Sequence, residues 1–251
     1  MQLFRIIPLE KDLWAINEID KTVMYVINGT ERALLLDTGL GLTDLKEEVL
    51  KLCGEKSLIV VNTHAHVDHS GLLPLLYARG FRGQIYTTDA TADLCSIMLR
   101  DCAHIQSAEA EWKNRKAKRS ANNAVVEPLY TMEDADGVIR RFVPCHYNTI
   151  VEVCEGVKIR FTDIGHLLGS ASIEVWLTED GNTKKIVFSG DIGNKHQPLL
   201  KDPTPTKEAD YVVMESTYGD RLHPKDKLDY VAELTKVLQA VSYTHLRAHE
   251  T

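Results

Sequence analysis

At 251 residues the chain is long enough to bury a sizeable core, and 44% hydrophobic with 26% charged residues is the balance of a folded globular protein. A formal charge of −7, from 36 acidic against 29 basic residues, supplies no overall field that would draw in nucleic acid or an acidic membrane, so any polyanion has to be held locally. No run approaches the roughly 20 apolar residues that span a bilayer, and Met1-Gln2-Leu3-Phe4-Arg5 lacks the layout of a secretion signal, which points to a cytoplasmic protein with no membrane partner.

Short strand-like runs open the chain: Leu3 to Ile7, Leu13 to Ile16, Val23 to Ile27 and Ala33 to Leu36, separated by turn formers such as Asn28-Gly29. Beyond Asp37-Thr38-Gly39, the acidic residues Asp44, Glu47 and Glu48 fall in the first turns of a helix running to about Cys53, where they suit its dipole. The apolar run Leu58-Ile59-Val60-Val61 predicts a buried strand ending directly at a cluster of histidines. A helix over Leu72 to Arg79, a strand over Gln84 to Thr87, and one or two helices from Asp89 to about Arg119 follow. The pattern then returns to strands at Val157 to Thr162, Ser172 to Leu177 and Lys185 to Ser189, the last two joined by a turn at Glu179-Asp180-Gly181-Asn182, with a last buried strand at Tyr211 to Met214. Mixed sheets with helices outside make an α/β sandwich the natural architecture. Five scattered cysteines (Cys53, Cys95, Cys102, Cys145, Cys154) without a Cys-x-x-Cys pair read as reduced thiols packed as small hydrophobes.

Chemistry concentrates in His64-Ala65-His66-Val67-Asp68-His69. Three imidazoles and a carboxylate at the carboxyl end of a buried strand need partners, and a metal ion supplies one. His64 and His66, two apart in an extended loop, point the same way and can hold one ion; Asp68 and His69 then fall beside a second position. Two further strand ends carry matching groups, His166 in Gly165-His166-Leu167-Leu168-Gly169-Ser170 and Asp191 in Ser189-Gly190-Asp191. An aspartate between two ions can bridge them through its two oxygens. Lys113, Arg115, Lys116, Lys118 and Arg119 form a basic cluster that reads either as a phosphate contact or as a solvated helix face. His104, His146, His196 and His223 fit no motif and read as surface or core residues.

His64 to His69, together with Asp37, His166 and Asp191, resembles the signature set of the metallo-β-lactamase superfamily. The resemblance implies an αββα sandwich, incomplete at its C-terminus. It further implies that His64, His66 and His166 hold a first zinc, that Asp68 and His69 hold a second, that Asp191 bridges them, and that Asp37 fixes the ligand loop by hydrogen bonds. Within that superfamily, residues 63 to about 224 resemble the β-CASP branch of nucleic-acid nucleases, through Thr63 to Gly71, Gly165 to Ala171, Ser189-Gly190-Asp191 and Glu215-Ser216-Thr217-Tyr218-Gly219-Asp220-Arg221. Glu215 inherits the role of an active-site acid from that motif, and Asp68 could orient or accept the proton of the attacking water.

The same resemblance divides the chain into the N-terminal part of a metallo-β-lactamase domain over 1–224, the start of a truncated β-CASP insertion over 225–241, with a helix from about Leu228 to Ala240, and a non-native tail over 242–251. Two zinc ions are expected in a full-length protein, with the second site incomplete here because later histidines are missing; His245 and His249 are poor substitutes. The opening segment, Trp14 through Leu42, looks more like the single-domain hydrolases of the superfamily, including thioesterases related to glyoxalase II. The leading expectation is therefore a zinc-dependent phosphodiester hydrolase acting on RNA. The alternatives are a single-domain metallohydrolase of thioesters or small esters and an inactive zinc-binding fragment. Oligomeric state is not legible.

Overall fold

The computed structural model describes residues 4–18, 22–40, 45–119, 125–220 and 229–245. Asp44, residues 225–228, His223 and the end of the chain beyond His245 lie outside that set. The chain divides into two compact units, Met1–Glu215 and Ser216–Thr251.

The first unit is built on two sheets. In the larger, seven strands lie in chain order: β1 (Phe4–Glu10), β2 (Leu13–Glu18), β3 (Thr22–Asn28), β4 (Arg32–Leu36), β5 (Ser57–Val61), β6 (Ile85–Thr88) and β7 (Phe142–Cys145). The first four pair antiparallel as hairpins, whereas β4 to β7 run parallel and need crossovers. The crossovers carry α1 (Leu45–Cys53), α2 (Val67–Ser70), α3 (Leu73–Ala78), α4 (Asp89–Arg119) and α5 (Met132–Ile139). The second sheet has the order β12-β11-β10-β9-β8, from β8 (Ile150–Cys154), β9 (Val157–Asp163), β10 (Ala171–Glu179), β11 (Asn182–Phe188) and β12 (Tyr211–Val213).

Strand alternation sorts the apolar residues into two cores. On β4 and β5, Ala33, Leu35 and Val60 face the helices, packing with Val49, Leu76, Leu99 and Val138. Leu34, Leu36, Ile59 and Val61 face the other sheet, meeting Ile159, Phe161, Ile173 and Phe188. A strand covered on both faces needs a continuous apolar run, which is why Leu58 to Val61 carries no polar residue. The order of layers is thus helices, sheet, sheet.

The β10–β11 hairpin turns through Asp180 (φ 50°) and Gly181 (φ 76°), with Glu179 opposite Asn182, the two-residue connection expected for residues that accept positive φ. Residues 89 to 119 form one helix, about 46 Å long at 1.5 Å per residue. Besides α2, a single turn inside the histidine run that reads as an extended loop, three elements escape a reading by periodicity. They are α5, whose Thr131 N-cap and Asp134 form a capping box, the short edge strand β7 with Pro144, and β8.

The strand predicted as buried at Tyr211 to Met214 is a correction. It spans Tyr211–Val213 at the edge of the second sheet, where β12 pairs with β11; Val213 packs against the second core, whereas Val212 and Met214 are 66% and 65% exposed. In the second unit α6 (Tyr230–His245) runs past Ala240, and Val231, Leu234, Val237 and Leu238 are exposed on it. No helix among the described residues is long and apolar enough to cross a membrane.

Candidate metal centre

Parallel strands deliver their following residues to one edge of a sheet, and the crevice there is where open α/β folds bind ligands. Asp37 follows β4 and His64 follows β5 at this edge. The second sheet brings His166 from the β9–β10 loop and Asp191 from the segment after β11.

Ligand atoms of His64, His66, His166 and Asp191 all lie within 4.8 Å of one another. His66 Nδ1 is 3.2 Å from His64 Nε2 and 3.4 Å from His166 Nε2. Asp191 Oδ2 stands 3.6 Å from His64 Nε2 and 3.5 Å from His166 Nε2. Donors about 2.0–2.1 Å from a common tetrahedral centre stand about 3.3–3.4 Å apart, and these four pairs lie close to that spacing. The other oxygen of the same carboxylate, Oδ1, lies 3.5 Å from His69 Nε2, which is 3.6 Å from Asp68 Oδ2. Asp191 therefore divides its oxygens between two sets of donors.

Hydrogen bonds fix the tautomers. The Asp37 carboxylate only accepts, taking bonds from Thr63 N (2.8 Å), Thr63 Oγ1 (2.7 Å) and His69 Nδ1 (2.8 Å). With its proton committed to Asp37, Thr63 Oγ1 accepts from His64 Nδ1 at 3.0 Å, which leaves the lone pair of His64 on Nε2, facing the other donors. Burial, then the neighbouring His69, pushes His64 well below the usual imidazole range, keeping that nitrogen unprotonated. Burial would lower His69 too, but Asp37 and Asp191 outweigh it and raise the group. Burial would raise Asp191; His69, His64 and His166 instead hold it below the ordinary carboxylate range.

Glu215 is not among the clustered donors. Its Oε1 accepts from Ile192 N at 2.6 Å, and its own N–H donates to Ser189 Oγ at 3.0 Å, so it grips both flanks of Asp191. The basic cluster lies on the exposed last turns of α4. Lys113 and Arg115 pair with Glu109 and Glu111, each at 3.5 Å, and Lys116 sits over the Trp112 ring. His104 lies on α4; His146 and His196 are exposed and face Asp89 and Asp202 at 2.6 and 3.6 Å.

Sequence reasoning passed over two residues of the centre. Thr63 links Asp37 to His64, and Ser170 Oγ accepts from the backbone of His166 (3.0 Å) and Leu167 (3.1 Å). Thr63 adjoins His64 and Ser170 stands four residues after His166, but the bonds of both hydroxyls depend on loop conformation, which spacing does not encode.

The sequence pattern of the metallo-β-lactamase superfamily matches residues 19–92. A ribonuclease of Thermus thermophilus is 32% identical over 180 residues, 72% of this chain and 36% of its own length. The chain carries a metallo-β-lactamase domain. A transcription termination factor, FttA, of Thermococcus kodakarensis is 28% identical over 224 residues, covering 82% of this chain and 31% of that one. These relatives belong to the β-CASP branch. The chain spans about a third of the length of the curated relatives it matches. A subclass B3 metallo-β-lactamase of Bradyrhizobium japonicum shares the fold, with TM-score 0.54 at 15% identity over 98% of this chain and 97% of its own. The four clustered donors, three imidazoles and one carboxylate, are of the number and kind that hold one metal ion.

Proposed function

We propose that the chain is the N-terminal catalytic part of a zinc-dependent ribonuclease of β-CASP type, hydrolysing phosphodiester bonds in RNA. The observation that carries this reading is the position of Asp191, whose two oxygens face two different donor sets. His64, His66 and His166 would hold the first zinc, Asp68 and His69 the second, with Asp191 shared. The ribonuclease relatives supply the reason to choose RNA over a thioester.

Bound zinc supplies Lewis-acid polarisation of the scissile phosphate and makes a water more acidic. The protein's own residues do the rest. Thr63 and Asp37 keep His64 and His69 turned toward the centre. Asp68, with its side chain 40% exposed, is accessible to take a proton from an attacking water. Glu215, placed by its motif as an active-site acid, works in this geometry through the backbone on either side of Asp191. We place the protein in the cytoplasm, a compartment that suits its five unpaired thiols. We assign 1–224, 225–241 and 242–251 as the catalytic part, the start of an insertion and a non-native tail.

The test measures zinc per chain and cleavage of a labelled RNA and of a thioester, with and without chelator, in the parent and in His66→Ala. Zinc at the first site and chelator-sensitive RNA cleavage, both lost in His66→Ala, are expected, with a second zinc held more weakly because its donor set is incomplete. Thioester cleavage alone would favour the single-domain hydrolase, and one tight zinc without turnover would favour the inactive fragment.

A further inference from the structure

The donors of the first site come from both sheets, so their spacing depends on how the His166 loop is held against the end of β5. His64 and His69 are oriented directly, through Nδ1 bonds to Thr63 and Asp37. His166 makes no Nδ1 hydrogen bond among the described residues, so its ring is placed through its backbone. Ser170 closes the loop on itself by accepting from the His166 and Leu167 N–H groups, but those bonds do not fix where the loop lies.

The carbonyl of Gly169 supplies the missing anchor. Thr88 Oγ1, at the end of β6, donates to it at 2.6 Å, and Thr91 Oγ1, in the first turn of α4, donates at 2.9 Å. Each hydroxyl has one proton; Thr88 Oγ1 also lies 3.0 Å from Thr91 Oγ1, but its shorter contact is to the Gly169 oxygen, and it accepts from Thr91 N at 3.2 Å. Thr88 and Thr91 are 1% and 0% exposed, so both bonds are sheltered from water. β6 is the hydrogen-bonded neighbour of β5, the strand that delivers His64 and His66. The approach is close enough to exclude a side chain. Gly169 has φ +89°, and a Cβ there would stand 2.6 Å from Thr91 N.

We propose that Thr88 and Thr91 are positioning residues for the metal centre: their hydroxyls clamp the Gly169 carbonyl and so set the reach of His166 toward His64 and His66. The inference rests on the reading of His166 as a zinc ligand. Ala171 N, tied to Thr63 O at 3.1 Å, fixes the start of β10, and the clamp fixes the loop ahead of it.

The test uses Thr88→Val with Thr91→Val, which keeps side-chain volume and removes both protons, alongside Thr88→Ser with Thr91→Ser, Gly169→Ala and His166→Ala. Zinc affinity is read by competition with a chelator, the donor set by the visible absorption of the Co(II)-loaded protein, and folding by circular dichroism of the metal-free protein. The valine pair and Gly169→Ala are expected to lose about 10–100-fold in zinc affinity with altered Co(II) bands and a folded chain, the loss typical for groups that orient ligands. The serine pair is expected to restore both readouts. Wild-type affinity and spectrum in the valine pair, with affinity lost in His166→Ala, would overturn the clamp and leave the ligand assignment standing. Wild-type affinity in His166→Ala would overturn both. If the valine pair does not fold, Thr88→Val alone and the serine pair decide. A folded Thr88→Val with wild-type affinity, or a serine pair without it, overturns the clamp.

Discussion

The carboxylate of Asp37 lies 2.8 Å from Nδ1 of His69, across 32 residues of chain, and the same oxygen accepts from Thr63 Oγ1 at 2.7 Å. One buried side chain, itself no member of the donor cluster, thereby sets the orientation of both neighbouring imidazoles. Asp37→Ala is expected to lower zinc affinity at the His69 side by about 10–100-fold while His64, His66 and His166 still bind. Zinc counted per chain after dialysis against buffered metal checks this, and an unchanged count and affinity would show that His69 is oriented by something else.

Asp191 offers a sharper contrast, because its two oxygens serve different neighbours. Asp191→Asn keeps the shape but replaces one oxygen with an N–H donor, which cannot ligate a cation. That variant should hold no more than one zinc per chain, and Asp191→Ala, like His66→Ala, should lose metal and hydrolysis together. Full hydrolysis in either alanine variant would remove the assignment.

Much of this centre was legible because its groups are held by local sequence. His64, His66 and His69 sit in one run after an apolar strand, and a strand followed by a ligand-rich turn reads the same in sequence and in space. His166 and Asp191 were legible only as residues ending other strands. Their convergence depends on two sheets packing through Phe161, Ile173 and Phe188, a long-range fact that alternation implies but does not locate. Two kinds of feature stayed out of reach. Short edge elements such as β7 offer too few residues to show a period, and Pro144 there argues against a strand until its edge position is known. The exposure of β12 depends on what covers it, and an apolar sequence alone reads as buried.

The basic residues at the end of α4 are expected to behave as a solvated helix face. Two of the five are matched by acids four residues earlier, an exposed pairing worth a few tenths of a kcal/mol, about 0.3–0.5. Lys116→Glu with Arg119→Glu should then leave RNA affinity and its salt dependence as in the parent. A log–log salt slope shallower by about 0.7–0.9 for each phosphate no longer neutralised would instead place α4 on the RNA backbone.

On the face of β10 opposite Ile173 and Val175, the side chain of Glu174 is 1% exposed, hydrogen-bonded by Arg160 and 2.6 Å from Lys185 Nζ, with both cations over the Trp176 ring. Burial alone would raise this carboxyl, but the bonds from Arg160 and Lys185 outweigh it and hold it below its ordinary value of 4.5. A depressed folded-state value means that the unfolded chain binds the proton more readily, so the stabilisation is complete above the ordinary value and is lost as pH falls through the depressed one. Glu174→Gln removes the charge and leaves two cations facing a neutral amide. Breaking a buried pair in this way costs about 3–5 kcal/mol, and the partial exposure of Arg160 and Lys185 places the expected loss at the low end. Urea unfolding at neutral pH should therefore find the variant about 3 kcal/mol less stable, with the gap to the parent closing as the pH is lowered through the carboxylate range. A gap that stays constant down to acid pH would mean that the charge contributes nothing and that packing on Trp176 holds this face together.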